Sequence, residues 1–365
     1  MSQPARELAA LSTFPKFGSK SLLKLKRAFA DLEEVWTVGL QRLVRAGIGE
    51  NVAQEFLEAR KQIKVDEIWN KLEKNKIKTL TVDDEDYPPL LREIYDPPAL
   101  LFYKGLMQKN SDSSPLAVVG SRKLSLYGKQ VIEEIVSELA GAGLSIVSGL
   151  AWGADSAAHA AALKQGGRTV AVLGSGLDDA HIYPSANRRL AIQIIDHGGA
   201  MISEFPPGTL PLRHHFPIRN RLISGLTLGT LVVEAAEDSG SLITAKLALE
   251  QNREVFGIPG NIFSPLSVGP NNLLKMGAQA ITSAQDILDA LSIKKETTLL
   301  PLPKIKADNE EEALILKTLS REPKHIDSIT KEAALASPAV LSSLALMEMR
   351  GKVKNLGGMM YVLAK

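Results

Sequence analysis

The 365-residue chain is 45% apolar and 23% charged, the balance of a globular protein with room for two or three domains. It has no cysteine, which excludes disulfides, thiolate metal sites and cysteine nucleophiles and fits a reducing cytoplasm. The net charge of +2 divides into +1 over residues 1–117, −2 over 118–290 and +3 over 291–365, so a polyanion site has to be a local cluster rather than a bulk property.

No apolar run is long enough to span a bilayer, and the opening MSQPARELAALSTF lacks a signal-peptide core. The expectation is therefore a cytoplasmic protein with no membrane association. Residues 1–80 read as helical: Leu22, Leu25, Phe29 and Leu32 keep helical spacing, as do Val52 and Phe56. Between them LVRAGIGENVAQEF (43–56) has the form of a helix-hairpin-helix, which can offer backbone N–H groups to phosphate, or of a plain helical bundle with glycine caps. Residues 83–99 hold two Pro-Pro pairs that no helix interior accepts, so they read as a connection, with Leu100–Tyr103 a short strand after it.

From 116 to 290 strand-like and helix-like stretches alternate. Strands are expected at Leu116–Val119, Leu144–Val147, Thr169–Leu173, Ala200–Ser203, Leu231–Glu234, Glu254–Phe256 and Gln279–Ile281. They are continuously apolar, as a parallel sheet covered on both faces requires. Residues 292–308 read as a linker. Beyond it three helices and a hairpin around Gly357-Gly358 fit a winged helix whose third helix, started by Ser337 and Pro338, is poor in basic residues. The domains expected are thus 1–80, 81–291 and 309–365.

In a parallel α/β sheet ligands bind off the carboxyl ends of the strands. The first such turn reads Gly120-Ser121-Arg122, an arginine fork where a dinucleotide loop would have further glycines. The second, Ser148-Gly149 through Gly153, opens a helix carrying Asp155 and His159, which could serve as an acid–base pair or as a helix cap. The third leads to Tyr183-Pro184 and Asn187, where the tyrosine could stack on a base or pack on its own loop. The fourth is followed by three arginines and two histidines within nine residues, 213–221, with Phe216 among them. Cations interleaved with an aromatic suit single-stranded nucleic acid, whereas two adjacent histidines make a poor metal site. The fifth ends in Ser239-Gly240-Ser241, an anion nest at a helix start. No metal or cofactor is expected.

These motifs together, namely Gly120-Ser121-Arg122, SGLAWGADSAAH, AVLGSGLD, YPSAN, SEFPPGTLP, FPIRNRLISGL, VVEAAEDSGSLITA, REVFGIPG and Gly269-Pro270-Asn271, resemble the DNA-processing protein A (Smf) family over about residues 80–290. The flanks are similar to that family's SAM-like and winged-helix domains. The resemblance implies an extended Rossmann-like fold, flanked by those two domains. It implies a non-catalytic mediator that binds single-stranded DNA, protects incoming strands in natural transformation, loads the RecA recombinase and dimerises through the Rossmann-like domain. The site it implies comprises Arg122, then Phe216, Pro217, Arg219, Asn220 and Arg221, then Ser239, Gly240 and Ser241; from the loops above, Gly120, Ser121, Ser148, Gly149, Gly153, Tyr183 and Asn187 join the expected strand-binding set. Two positions depart from the family pattern: Ser185 stands where a basic residue is common, and Asn252 where glycine is usual before Arg253. A Rossmann-like phosphoribohydrolase, with Glu234, Glu204 or His159 as acid–base groups, is the enzymatic alternative, although EDSGS at 237–241 lacks that class's P-G-G-x-G-T loop. A regulator reading duplex DNA through the winged helix is the other.

Overall fold

The computed structural model describes residues 3–107, 114–293, 307–320 and 322–364. They form two compact units divided between Lys295 and Glu296; most of the expected 292–308 linker lies outside the described residues.

The first unit is built on nine strands: β1 (Lys78–Thr81), β2 (Leu100–Gly105), β3 (Ser114–Val119), β4 (Leu144–Ser148), β5 (Thr169–Leu173), β6 (Ala200–Ser203), β7 (Gly229–Val232), β8 (Glu254–Gly257) and β9 (Gln279–Ala280). Their order is β1-β2-β6-β5-β4-β3-β7-β8-β9. Strands β3 to β9 run parallel, as expected for residues 116–290; β2 adds to them antiparallel on β6 and β1 antiparallel on β2, so the whole sheet is mixed. Strand β1 lies within the stretch read as helical. Its KTLT is too short and too polar to show a period.

Each central strand is apolar on both sides because helices cover both faces. Leu116 and Val118 pack with Ile132, Leu139, Ala158 and Ala161 on one face. Ala117 and Val119 pack with Leu222, Ala245 and Ala248 on the other. The two faces therefore hold different helices: Leu126–Gly141, with a π turn at Ile132–Val136, and Ala154–Lys164 on the first, His215–Gly225 and Gly240–Glu250 on the second.

The N-terminal helices continue this body. Leu8, Leu25, Phe56 and Leu72 share a core with Phe102, Ala171 and Met201. The 83–99 stretch, read as a connection, is itself packed: Tyr87 is fully buried with its hydroxyl donating to the Pro98 carbonyl (2.9 Å), and Leu91 and Ile94 line the core. The prolines break regular structure without loosening the chain. Residues 40–59 do form two helices around Gly47, where φ is +86°.

In the second unit helices Glu310–Thr318, Ile326–Ala333 and Ser337–Met349 pack around Ile315, Ile329, Leu344 and Met347. Strands β10 (Lys324–His325), β11 (Val353–Asn355) and β12 (Met360–Leu363) form the wing, in the order β10-β12-β11. The third helix is capped one residue earlier than expected, by Ala336.

Candidate nucleic-acid interface

The chain runs from β3 through β4 and β5 to β6, then returns to β7 on the other side of β3. The crevice between β3 and β7 is thus the switch point where an open α/β sheet receives a ligand. Here the chain itself closes it. The Ser121 N–H donates to the Glu234 carbonyl (2.5 Å). The Glu234 carboxylate, almost fully buried, accepts from the Ser125 N–H (2.9 Å) and hydroxyl (2.5 Å). A Cβ on Gly120 would lie 2.9 Å from both Ala154 Cβ and that same carbonyl. No dinucleotide cradle remains, and Glu234 ties the turn to the start of the next helix.

Closing the crevice pushes Arg122 outward. Gly153, at φ +76°, lets the loop after β4 press on the Ser121 and Arg122 backbone, where any side chain would collide. The Ala154 N–H donates to the Ser121 carbonyl (3.0 Å). Arg122 is exposed, with no ion pair among the described residues, and its guanidinium stands 5.8 Å from the Phe216 ring centroid. Tyr183, half exposed, lies 5.9 Å from the same ring at a tilt of 38°. Arg219 approaches Phe216 at 6.0 Å. Residues from two loops and the start of the 215–225 helix, distant in sequence, therefore form one cationic aromatic platform.

The two other expected arginines are differently placed. Arg219 is buried and donates to the carbonyls of Gly149 (2.7 Å) and Val172. Burial first, and Arg122 as a like charge, pull its pKa down to about 10, against the opposing pull of Asp155. Arg221 is also buried, its guanidinium gripping Glu204 (2.5 Å) and Asp96 (3.2 Å), while Glu204 also accepts from the Ser19 hydroxyl. Both arginines are committed to protein oxygens. They set the position and field of the 215–225 helix, and Arg122 is the member of the trio that faces solvent. Asp96 and Ser19 had no signal as site residues, because their link to Arg221 spans more than a hundred residues of sequence.

The remaining expected residues divide in the same way. Ser148 is fully buried and its hydroxyl donates to the Val118 carbonyl (2.7 Å). The Gly149 N–H donates to Asp155 (3.1 Å), and a Cβ there would strike Arg219. Asn187 is buried, its amide donating to the Leu150 carbonyl (2.8 Å), so it fastens the loop that carries Tyr183 to the loop after β4. Ser185 is exposed beside them. Ser239 caps the 240–250 helix, its hydroxyl within 2.8 Å of the Ser241 hydroxyl, and the Asn220 amide donates to the Gly240 carbonyl (3.3 Å). This nest adjoins the 215–225 helix at Asn220.

The acid–base candidates are engaged. Asp155 accepts from the Gly149 and Ala151 amides, and burial holds its pKa up. His159 is fully buried and partnered not by Asp155 but by Thr169 (2.6 Å); burial holds it neutral, its pKa down at about 3. Among the described residues no three His, Asp or Glu side chains gather as metal ligands, and no helix is long and apolar enough to cross a membrane.

Residues 78–292 match the family described as DNA recombination-mediator protein A, and residues 301–359 the DprA winged helix domain. The chain belongs to the DNA-processing protein A family. The DNA-processing protein A of Bacillus subtilis strain 168 is 48% identical over 215 residues, covering 59% of this chain and 71% of that one. Protein Smf of Escherichia coli K12 is 40% identical over 333 residues, 87% and 85% of the two chains. Among solved structures, the DNA-processing protein A of Streptococcus pneumoniae superposes with a TM-score of 0.63 at 39% identity, over 76% of this chain and 95% of that one. The Helicobacter pylori protein, described for its single-stranded DNA binding mode, gives 0.53 at 32% identity over 60% and 96%. Family membership makes this a DNA-processing protein of the recombination-mediator type, with the fold seen here.

Proposed function

We propose that this member of the DNA-processing protein A family binds single-stranded DNA across the carboxyl ends of β3 to β7, without catalysis. The observation that carries the reading is the platform of Arg122, Phe216 and Tyr183: a guanidinium with no ion pair among the described residues, beside two rings of which one is half exposed. Phosphate meets the guanidinium and bases meet the rings, so affinity depends on salt and only weakly on sequence. Amides at the start of the 240–250 helix add donors. The role is that of a mediator, shielding incoming strands and loading the RecA recombinase, and the working form is a homodimer through the sheet unit. These last assignments follow the family rather than any contact described above.

An enzymatic reading has little support. Glu234 holds Ser125, and His159 is a buried neutral ring. The duplex-reading alternative has little either: Arg350 and Lys352, at the end of the third helix of the winged unit, pair with Asp308 and Glu312. Gel shift and light scattering, run with and without oligo-dT, test binding and dimerisation together. Equal affinity for single and double strands, or turnover of nucleoside monophosphates, would overturn the proposal.

A further inference from the structure

Arg122 lines a second feature. A groove of about 650 Å³ opens beside it and runs between the 126–141 and 154–164 helices on the outer face of the sheet. Lys123, Lys129 and Lys164 line it along with Arg122, and Glu133 is its single acidic residue. Glu133 pairs with Lys164 (2.5 Å), leaving the groove with a net charge of +3 in a stretch of chain that is −2 overall. The floor is small: Ala160 and its neighbours on the 154–164 helix present methyl groups, so width is set by backbone rather than by side chains. Opposite them the 126–141 helix widens into its π turn at Ile132–Val136, which supplies Ile132 and Glu133 to the wall. Such turns are uncommon inside helices and concentrate at functional sites.

We infer that this groove is a second limb of the strand path, receiving the phosphodiester backbone after it passes Arg122. The inference rests on the proposed single-stranded DNA binding and extends it from the sheet end to the helix layer. Three arguments carry it. The groove shares Arg122 with the aromatic platform, so a backbone held there is already at its mouth. Its charge is that of a polyanion channel and its lining offers no aromatic ring, so it fits sugar and phosphate with bases turned outward. Its length follows the 11-residue 154–164 helix, ~16 Å at 1.5 Å per residue, enough for several nucleotides.

The test compares Arg122→Ala with the double variant Lys129→Gln/Lys164→Gln, using oligo-dT of about 5 and about 16 nucleotides, the span of known single-strand site sizes. Both lysines are exposed, and thermal melting checks the fold. The expected result is that the double variant binds the short oligomer as the wild type does. It binds the long one several-fold more weakly, with the salt slope reduced by ~0.7–1.4 for one or two lost phosphate contacts. If Arg122→Ala weakens both oligomers but the double variant matches wild type on both, the groove is not on the path. If Arg122→Ala also changes nothing, the platform reading falls and the limb with it.

Discussion

Replacing Arg122 by alanine isolates the contact on which the interface depends. The side chain has no acidic partner among the described residues, so its removal strands no counter-ion. It also relieves Arg219 of a like charge, so folding stability should hold or rise slightly. A hydrogen bond to a charged group contributes ~1.5–3 kcal/mol. Arg122 is exposed, which places it in the lower half of that range, ~1.5–2 kcal/mol, or about 10–30-fold in Kd at 1.4 kcal/mol per decade. Loss of one phosphate contact should also flatten the plot of log K against log salt by ~0.7. Fluorescence anisotropy on labelled oligo-dT across a salt series reads both quantities. Arg122→Lys should keep the slope and lose part of the affinity, because an ammonium lacks the planar fork. Unchanged affinity and slope in a normally melting Arg122→Ala protein would refute the assignment of this turn to the strand.

Tyr183→Ala should weaken oligo-dT binding by ~1–3 kcal/mol, as expected for one stacked base, while Tyr183→Phe keeps wild-type affinity in the same titration. Arg221→Met leaves Glu204 and Asp96 without their buried partner and should lower stability by ~3 kcal/mol in urea unfolding, with oligo-dT affinity falling only as far as the helix shifts. His159 supplies a pH dependence. Its folded pKa of about 3 lies below its unfolded value, so the unfolded chain takes up the proton first. Its contribution is full above about pH 6.5 and falls as the pH drops toward 3, by at most ~5 kcal/mol. Asp155 acts with the opposite sign, its raised pKa favouring the folded state as acid is added. The difference in unfolding free energy between wild type and His159→Gln, measured from pH 7 to 4, should therefore narrow steadily toward acid.

The strands β3 to β7 were legible because burial on both faces writes itself into uninterrupted apolar runs such as Leu116–Val119 and Thr169–Leu173. The loops at their ends were legible from glycine and arginine chemistry. What the chain order concealed is direction and depth. Arg219 and Arg221 look like Arg122 in the sequence, yet both belong to the 215–225 helix and stand ~200° apart around it, so that carbonyls take up one and carboxylates the other on different sides. The groove was hidden for the same reason: Lys129 and Lys164 belong to different helices and meet only through packing on the sheet. Strand β1 escaped notice because its partner, β2, makes it a strand, through pairing from Lys78↔Tyr103 to Thr81↔Leu100.

That last pairing bears on how the protein can be divided. Trimming the chain at residue 81, where composition invites a cut, would leave β2 with a row of unsatisfied N–H and C=O groups and uncover Phe102 beneath it. A bare, apolar strand of this kind is a template for another chain. A fragment starting after Thr81 should therefore self-associate and come out of solution, whereas one keeping the N-terminal helices and β1 should remain dispersed. The helical segment is thus a guard against aggregation, whatever else it contributes.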